Sequence, residues 1–498
     1  MKIKSVALLN TIANIILQIV TIISGFILPK IILSCFGSEV NGLVSSISQF
    51  LSYINLLEGG VMGVIMANLY KPLYQKDYNK LSSVYKTSDK FLKSIGKIFI
   101  IYSILLAVLY PIIFNTSFSY IYICSLVLIL SINLFMQYCF SLNMRTLLNA
   151  DKKVYIISFV QSACVIINII LAIISIKVYP NIHFLKIITS ICYIILPFIY
   201  RHFIKKYYRI DKNAKIDDKL LKSRWDGFAI NIAYFIHTNT DVTLLTAFTD
   251  LKTVSIYGVY KAIVNGINQL ITAVSTAISP SIGHLYASQD KEELNRKFNI
   301  FELIIFFLVF FLFTVTGLLI IPFVMIYTNN INDANYFQPV FGIILLISEA
   351  MYIIKLPHVN LAYAANKFKE MTIPAYIEAG LNIVISLLLV NKLGLIGIAI
   401  GTLIAMTYRT VYQVVFLRKH ILYRPLWVFF KKFIIFVITG IIGILISTFL
   451  IPTMEFTILS WITHAIIYSI LMFVLYFIAS YLFYNNEVKN IYNLIKSK

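Results

Sequence analysis

Hydrophobic positions in this chain gather into fourteen runs that are separated by short polar connections. Each run holds about 18–30 residues, enough to cross a hydrocarbon core of roughly 30 Å as an α-helix. The pattern predicts an all-α polytopic membrane protein with about fourteen transmembrane helices. The predicted segments are 5–33, 40–69, 95–114, 119–141, 154–178, 184–204, 224–249, 253–282, 299–327, 336–361, 372–391, 394–418, 431–452 and 459–484.

Positive charge alternates with these segments. The two termini and the even-numbered connections hold 34 of the 42 lysine and arginine residues, whereas the odd-numbered connections hold 5. Short loops rich in Lys and Arg are retained on the cytoplasmic side of a membrane. The alternation therefore predicts that both termini and all even-numbered connections are cytoplasmic.

Composition agrees with a membrane protein. Mean hydropathy is +0.85, 59% of residues are hydrophobic and only 13% are charged, although the net charge is +21. A soluble chain of this length would carry far more charge. Because the basic residues follow the membrane connections, we interpret them as a surface that attracts anionic lipid headgroups and exclude a nucleic-acid partner.

The short predicted outer connections and the absence of catalytic motifs argue against an enzyme. The chain contains no nucleotide-binding P-loop, no GxSxG, no HExxH and no CxxC sequence. A polysaccharide polymerase would need a long outer loop to position acid and base residues, and the charge pattern leaves no room for one. We expect no metal and no bound cofactor.

A weak internal repeat relates the two halves of the chain at an offset of 214 residues. Ala150, Lys153 and Asn168 recur as Ala364, Lys367 and Asn382, and Val40 recurs as Val254. The repeat predicts two six-helix lobes of parallel topology, at 1–205 and 224–420, with the substrate site where they meet. A basic cytoplasmic linker, 206–223, joins them, and 421–498 adds helices 13 and 14 with a cytoplasmic tail.

Polar residues at helical spacing mark one face of segments 1, 2, 7 and 8. Such faces either line a cavity or bind helices to one another. Because the faces fall on repeat-equivalent helices, we favour a central cavity that binds substrate. Its predicted lining residues are Asn10, Asn14, Gln18, Ser52, Asn55, Asn231, Thr238, Asp241, Tyr257, Lys261, Asn265 and Asn268.

Lys261 is the most informative of these residues, since an ammonium near the middle of a membrane segment needs a partner or water. One interpretation is a counter-charge for an anionic headgroup such as a phosphate, which lysine binds as a point charge. The other is a structural ion pair, with Asp241 as its partner. The two interpretations are compatible in a transporter that alternates between states.

A second group of charges lies at Lys355, Glu378 and Arg409, in segments 10 to 12. We favour a structural salt-bridge network there, with ion coupling as the alternative. Glu58, before the pair Gly59-Gly60, is a candidate for an inner gate, and Asp241 is a candidate for ion coupling.

Several motifs make the chain resemble the polysaccharide flippases of the multidrug/oligosaccharidyl-lipid/polysaccharide exporter superfamily. The resemblance covers nearly the whole chain. The motifs that carry it are Asn10, Asn14, Gly25 and Pro29-Lys30, then Phe36-Gly37, Asn41-Gly42-Leu43, Leu57-Glu58-Gly59-Gly60, Asn149 to Lys153, and Ser255 to Lys261.

The resemblance implies two six-helix lobes in a V around a central cavity, in the plasma membrane of a bacterium. It implies translocation of undecaprenyl-diphosphate-linked oligosaccharides to the outer leaflet by alternating access, for capsule, exopolysaccharide or another surface polymer. Implied partners are membrane lipids, a polysaccharide polymerase and glycosyltransferases, and coupling to an H⁺ or Na⁺ gradient is a further expectation.

Two alternatives within the superfamily stay open: a lipid II-type flippase and a cation-coupled multidrug exporter. Lys261 matches a basic position of segment 8 that contacts the diphosphate in the related lipid II flippases. Those relatives also carry arginines on segments 1 and 2, where this chain has Asn10, Asn14 and Gln18 instead. This departure weakens the lipid II alternative.

Overall fold

A computed structural model describes residues 3–58, 61–114, 116–211, 213–217, 220 and 228–496. The side chains of 3–5, 7, 228–234, 237, 238, 494 and 495 lie outside that description. The described chain is helical nearly throughout. Its α-helices are α1 Ile3–Ser52, α2 Asn55–Glu58, α3 Val61–Gln75, α4 Tyr78–Ile113, α5 Tyr120–Met136, α6 Leu142–Ala150, α7 Val154–Val178, α8 Ile182–Tyr207, α9 Phe228–Phe248, α10 Leu251–Ala287, α11 Lys291–Tyr327, α12 Pro339–Ile354, α13 Leu356–Ala364, α14 Phe368–Leu393, α15 Leu395–Leu417, α16 Trp427–Leu450, α17 Ile458–Phe483 and α18 Asn485–Lys496.

The helices confirm a polytopic membrane protein. Among the described residues, twelve helical stretches are long and apolar enough to cross a membrane. One of them, Leu8–Glu58, contains Gly37 at φ 82° and ψ 177°, a backbone conformation that divides it into two helices and that glycine adopts without a Cβ penalty. Helix α9, with 21 residues, is an additional helix in the place of predicted segment 7.

The second predicted segment, 40–69, is not one continuous helix. Helix α1 ends at Ser52, the four-residue α2 follows at Asn55–Glu58, and α3 begins at Val61. Tyr53 and Ile54 form a turn in which their backbone N–H groups donate to Phe50 and Leu51. Hydrophobicity continues across this break, and for that reason the apolar pattern alone did not reveal it.

Two turns that lie one repeat offset apart have the same backbone conformation. Lys152 and Asn366, 214 positions apart, both adopt a left-handed conformation, with φ of 59° and 57°. In each turn the following residue donates its backbone N–H to the carbonyl oxygen five positions earlier. Lys153 donates to Leu148 and Lys367 to Ala362, at 2.9 Å in both cases. The same helix–turn–helix connection therefore precedes α7 and α14.

The connections before α4 and α11 also match, at an offset of 213. Asp77 caps α4 by accepting from the backbone N–H of Lys80 at 3.0 Å, and Asp290 caps α11 by accepting from Glu293 at 2.9 Å. An aspartate at this position satisfies one of the unpaired N–H groups of the first helical turn. Helices α4 and α11 therefore begin with the same aspartate cap.

By internal packing the chain divides into two compact units, Met1–Ser255 and Ile256–Lys498. The first unit has a core around Leu43, Ile47, Phe99 and Leu126. The second contains α11 to α18, in which α16 and α17 both pack against α11. The predicted linker 206–223 lies partly outside the described residues, and the lobe limits drawn from the repeat remain predictions.

Candidate functional site

Lys261 forms an ion pair with Glu349 in the second unit. The lysine lies on α10 and the glutamate on α12, and their side chains are 18% and 3% exposed. The second oxygen of Glu349, Oε2, accepts from Nδ2 of Asn268 at 2.7 Å. Both oxygens of one buried carboxylate are thus bound by residues that the sequence had placed on one helix face.

Asn268 lies two turns after Lys261 on that face, as the predicted spacing requires. Its other side-chain atom, Oδ1, is buried and has no hydrogen-bond partner among the described residues. Asn265, between them, is exposed. The sequence analysis selected the lysine and the asparagine but did not pair them with Glu349. The residue pattern of α12 does not indicate which helix the Glu349 side chain faces.

The predicted ion pair between Lys261 and Asp241 stays a prediction. Asp241 is 3% exposed on α9. Tyr257 is equally buried and its ring packs at 6.0 Å from that of Phe341. Both side chains are therefore buried.

A second cluster joins Lys355, Glu378 and Arg409, as the structural salt-bridge interpretation expected. Lys355 Nζ lies 3.3 Å from Glu378 Oε1, and Arg409 Nε lies 3.4 Å from Glu378 Oε2. All three side chains are less than 10% exposed. Arg409 also donates to the backbone carbonyl of Met371 at 3.1 Å. One carboxylate thus serves two cations, and a role of this cluster in gating or ion coupling is a separate prediction.

A third cluster, centred on Glu302, was not anticipated. Glu302 on α11 is fully buried and lies 2.5 Å from Lys432, 2.6 Å from Arg424 and 3.2 Å from the imidazole of His358. The charge count had included Lys432 and Arg424 among the basic residues of a cytoplasmic connection, and segment 13 lay outside the two predicted lobes. Instead, Lys432 lies within the first turns of α16 with 1% of its side chain exposed.

In the first unit, Asn10 and Asn14 bind α7. Asn10 donates to the carbonyl of Lys152 at 2.9 Å and accepts from the backbone N–H of Tyr155 at 2.8 Å. Asn14 accepts from Ser158 Oγ at 2.6 Å. The sequence analysis gave contact between helices as the alternative role of this polar face, and these hydrogen bonds are such contacts. That the two residues also line a cavity stays a prediction.

Ser52 belongs to a polar cluster between α1 and α9. Gln49 Nε2 donates to Asn239 Oδ1 at 2.5 Å, and Ser52 Oγ lies 3.4 Å from the same oxygen. One turn further along α9, the hydroxyls of Tyr53 and Thr243 are 2.6 Å apart. Gln49 and Asn239 were missed, although Gln49 lies three positions before the selected Ser52 and so shares its helix face.

Asn55 and Glu58 on α2 share one partner. The hydroxyl of Tyr138, which is 1% exposed, lies 2.5 Å from Asn55 Oδ1 and 3.1 Å from Glu58 Oε2. Tyr138 belongs to a π-helical turn, Gln137–Ser141, and such turns often occur at functional sites. The short α2 is therefore tied to the fourth predicted segment.

Three further predicted lining residues are Gln18, Asn231 and Thr238. Gln18 is half-buried on α1. Asn231 and Thr238 lie on α9, but their side chains fall outside the described residues. Among the described residues no group of three His, Cys, Asp or Glu side chains could hold a metal ion.

No protein-family model and no curated sequence matches this chain. Solved structures do. The lipid II flippase MurJ, in an inward closed conformation, superposes with a TM-score of 0.76 at 17% identity, over 97% of this chain and 100% of that one. The MATE multidrug transporter DinF-BH gives 0.60 at 15% identity over 85% and 98%. A MOP superfamily transporter from Pyrococcus furiosus gives 0.61 at 16% identity over 85% and 100%.

The fold is that of MOP superfamily transporters. This likeness, together with the apolar helices, shows a multi-pass membrane protein, and the neighbours named here are flippases and transporters. The similarity to MurJ extends over the two C-terminal spanning helices α16 and α17, since it covers nearly all of this chain. In this fold, α10 carries Lys261 and α12 carries its carboxylate partner.

Proposed function

We propose that this protein is a flippase that moves polyprenyl-diphosphate-linked oligosaccharides from the inner to the outer leaflet of a bacterial plasma membrane. The observation that supports it most is the pairing of Lys261 with Glu349, an ammonium held inside a membrane-spanning helix by a single carboxylate, which an amide also binds. An anionic headgroup offers the ammonium the same chemistry that the carboxylate does.

The mechanism follows from the cost of moving polar groups through hydrocarbon. A diphosphate and its sugars lose their hydrogen bonds to water unless the protein replaces them. Lys261 supplies a cation for the diphosphate, and the asparagine, serine and tyrosine residues of the predicted central cavity supply hydrogen bonds for the sugars. The prenyl chain stays in the lipid while the two lobes open alternately to each side.

Glu349 sets the energetic condition for binding. In this structure the carboxylate holds Lys261, so the diphosphate must displace it or bind after a rearrangement has separated the pair. Such competition makes the affinity depend on conformation, as alternating access requires. Coupling to an H⁺ or Na⁺ gradient, through Asp241, is part of the proposal, as are a polymerase and glycosyltransferases as partners in surface-polymer synthesis.

The test is the sidedness of lipid-linked oligosaccharide in membranes that lack the protein. We expect accumulation in the cytoplasmic leaflet, rescue by wild type and by Lys261→Arg, and no rescue by Lys261→Met. Lys392→Met, at an exposed lysine of α14, is the matched control and should rescue fully. Normal sidedness in the absence of the protein would contradict the proposal.

A multidrug exporter is the second candidate, because MATE transporters share the fold. It predicts efflux of organic cations and unchanged surface polysaccharide in the deletion strain. An ammonium at Lys261 disfavours it, since a cationic drug would be repelled unless Glu349 were freed to bind it. Uptake of a fluorescent cation into inverted vesicles distinguishes the two candidates directly.

A further inference from the structure

A small polar cavity lies inside the first unit, away from the residues discussed so far. It lies beside the π-helical turn Gln137–Ser141, and the centre of a water molecule can occupy about 50 Å³ of it. Helices α5, α6, α7 and α8 all contribute to its wall. Its lining residues are Asn133, Gln137, Ser141, Arg145, Gln161, Tyr193, Leu196 and Tyr200.

Two of these side chains have buried polar atoms without a hydrogen-bond partner among the described residues. Tyr200 is fully buried, and its hydroxyl has no hydrogen-bond partner among the described residues. The Nε atom of Arg145 is buried and likewise has none in that part of the chain. A buried polar group without a partner costs roughly 1–3 kcal/mol, more when it is charged, so such groups are normally satisfied.

The charges around the cavity favour an anion. The Arg145 guanidinium brings a positive charge to the cavity, and the lining contains no carboxylate. Arg145 interacts electrostatically with the Tyr200 hydroxyl and with Glu58. Glu58 does not line the cavity and already accepts from Tyr138 at 3.1 Å, so its charge compensates the guanidinium only from outside.

The size of the cavity restricts the ligand. The centre of a water molecule can occupy about 50 Å³ of it, and by that measure one water needs roughly 10–15 Å³, so the space holds a few particles of that size. The amide groups of Gln137 and Gln161 can each turn an N–H group inward, which adds donors around a small anion.

We propose that this cavity binds a single small monovalent anion, chloride in a cell, between the Arg145 guanidinium and the Tyr200 hydroxyl. The anion neutralises Arg145 and fixes the π-helical turn against α7 and α8. This site lies within one unit and does not depend on the identity of the transported substrate.

The experiment uses the full-length protein purified in detergent, at constant ionic strength. Thermal unfolding is followed while sodium gluconate is replaced by sodium chloride or bromide. We expect a saturable rise in Tm of a few degrees with chloride and with bromide, because a ligand that binds only the folded state stabilises it by mass action. Diffraction from crystals grown in bromide should show an anomalous peak between Arg145 and Tyr200.

Two variants and a control test the assignment. Tyr200→Phe removes one hydroxyl and should raise the apparent dissociation constant for chloride about tenfold. Arg145→Gln should abolish the saturable response, whereas Arg201→Gln, at an exposed arginine next to Tyr200 in α8, should keep it. If Arg145→Gln does not fold, the chloride affinity of Tyr200→Phe and the anomalous bromide peak still test the proposed site. Equal Tm values in chloride and gluconate together with no bromide peak would overturn the proposal in favour of water alone.

Discussion

Asn41 donates its side-chain amide to the hydroxyl of Ser255 at 2.8 Å, and the two residues are 214 positions apart in the chain. That separation is the offset of the internal repeat, so equivalent positions of the two repeats bind each other. Both side chains are buried, at 4% and 0% exposed. The contact places the end of the first unit, where α10 begins, directly against the second half of α1.

The backbones of α1 and α10 come even closer at the next residue, Gly42. A Cβ atom on Gly42 would overlap the carbonyl oxygen of Leu251, which is backbone and has little freedom to move aside. We expect Gly42→Ala to lower the stability of the folded protein by about 1–3 kcal/mol or more, as overpacking does. Gly25→Ala is the matched control, because nothing lies within 4 Å of its added methyl group. Fluorescence-detected size exclusion after heating measures both, and equal behaviour would contradict the close approach.

Glu349→Gln separates the two roles of the Lys261 pair. The substitution keeps the shape of the side chain but releases the ammonium from its counter-charge. If the carboxylate competes with the substrate, binding of undecaprenyl diphosphate in nanodiscs should tighten by roughly tenfold, while net transport falls because release becomes slower. Weaker binding in Glu349→Gln than in wild type would show that the carboxylate supports the site and does not compete for it.

Glu302→Gln should be among the most damaging substitutions in the second unit. It leaves Lys432 and Arg424 without their shared carboxylate in a buried place, which costs about 3–5 kcal/mol for a broken buried pair. We expect loss of folded protein in membranes, with partial recovery in the double variant Glu302→Gln/Lys432→Met. Glu293→Gln removes only an exposed pair with Arg296 and should change stability by less than about 1 kcal/mol.

Tyr208 lies beyond the end of α8 and donates to Asp151 Oδ2 at 2.6 Å, where Lys153 is also ion-paired. Burial, and then the hydrogen bond to Asp151, raise the pKa of the Tyr208 phenol. The stabilisation it provides is therefore complete below the unfolded pKa of about 10 and is lost as pH rises toward the folded value. The Tm difference between wild type and Tyr208→Phe should stay constant from neutral pH to about pH 9 and shrink above about pH 10. A difference that already varies near neutrality would assign the effect to another group.

The sequence alone determined the apolar segments of this protein and their order, although not the breaks within them. Runs of apolar residues indicate spanning helices whatever they pack against, because the bilayer imposes the same requirement on each. The faint matches at Val40, Ala150 and Lys153 were enough to find an offset at which the turns of Lys152 and Asn366 share a left-handed conformation. A local conformation such as a left-handed turn depends on a few neighbouring residues, and for that reason it is encoded where the sequence repeats.

Only the tertiary structure decided which polar groups meet. Lys261 was visible as a charge in a helix, but its partner Glu349 comes from another helix 88 residues away. The pairing of Glu302 with Lys432, 130 residues apart, was not predicted. Asn10 and Asn14 bind α7. The spacing of residues fixes which of them share a face of one helix, whereas the rotation of that helix and the choice of its neighbours follow from packing the whole chain.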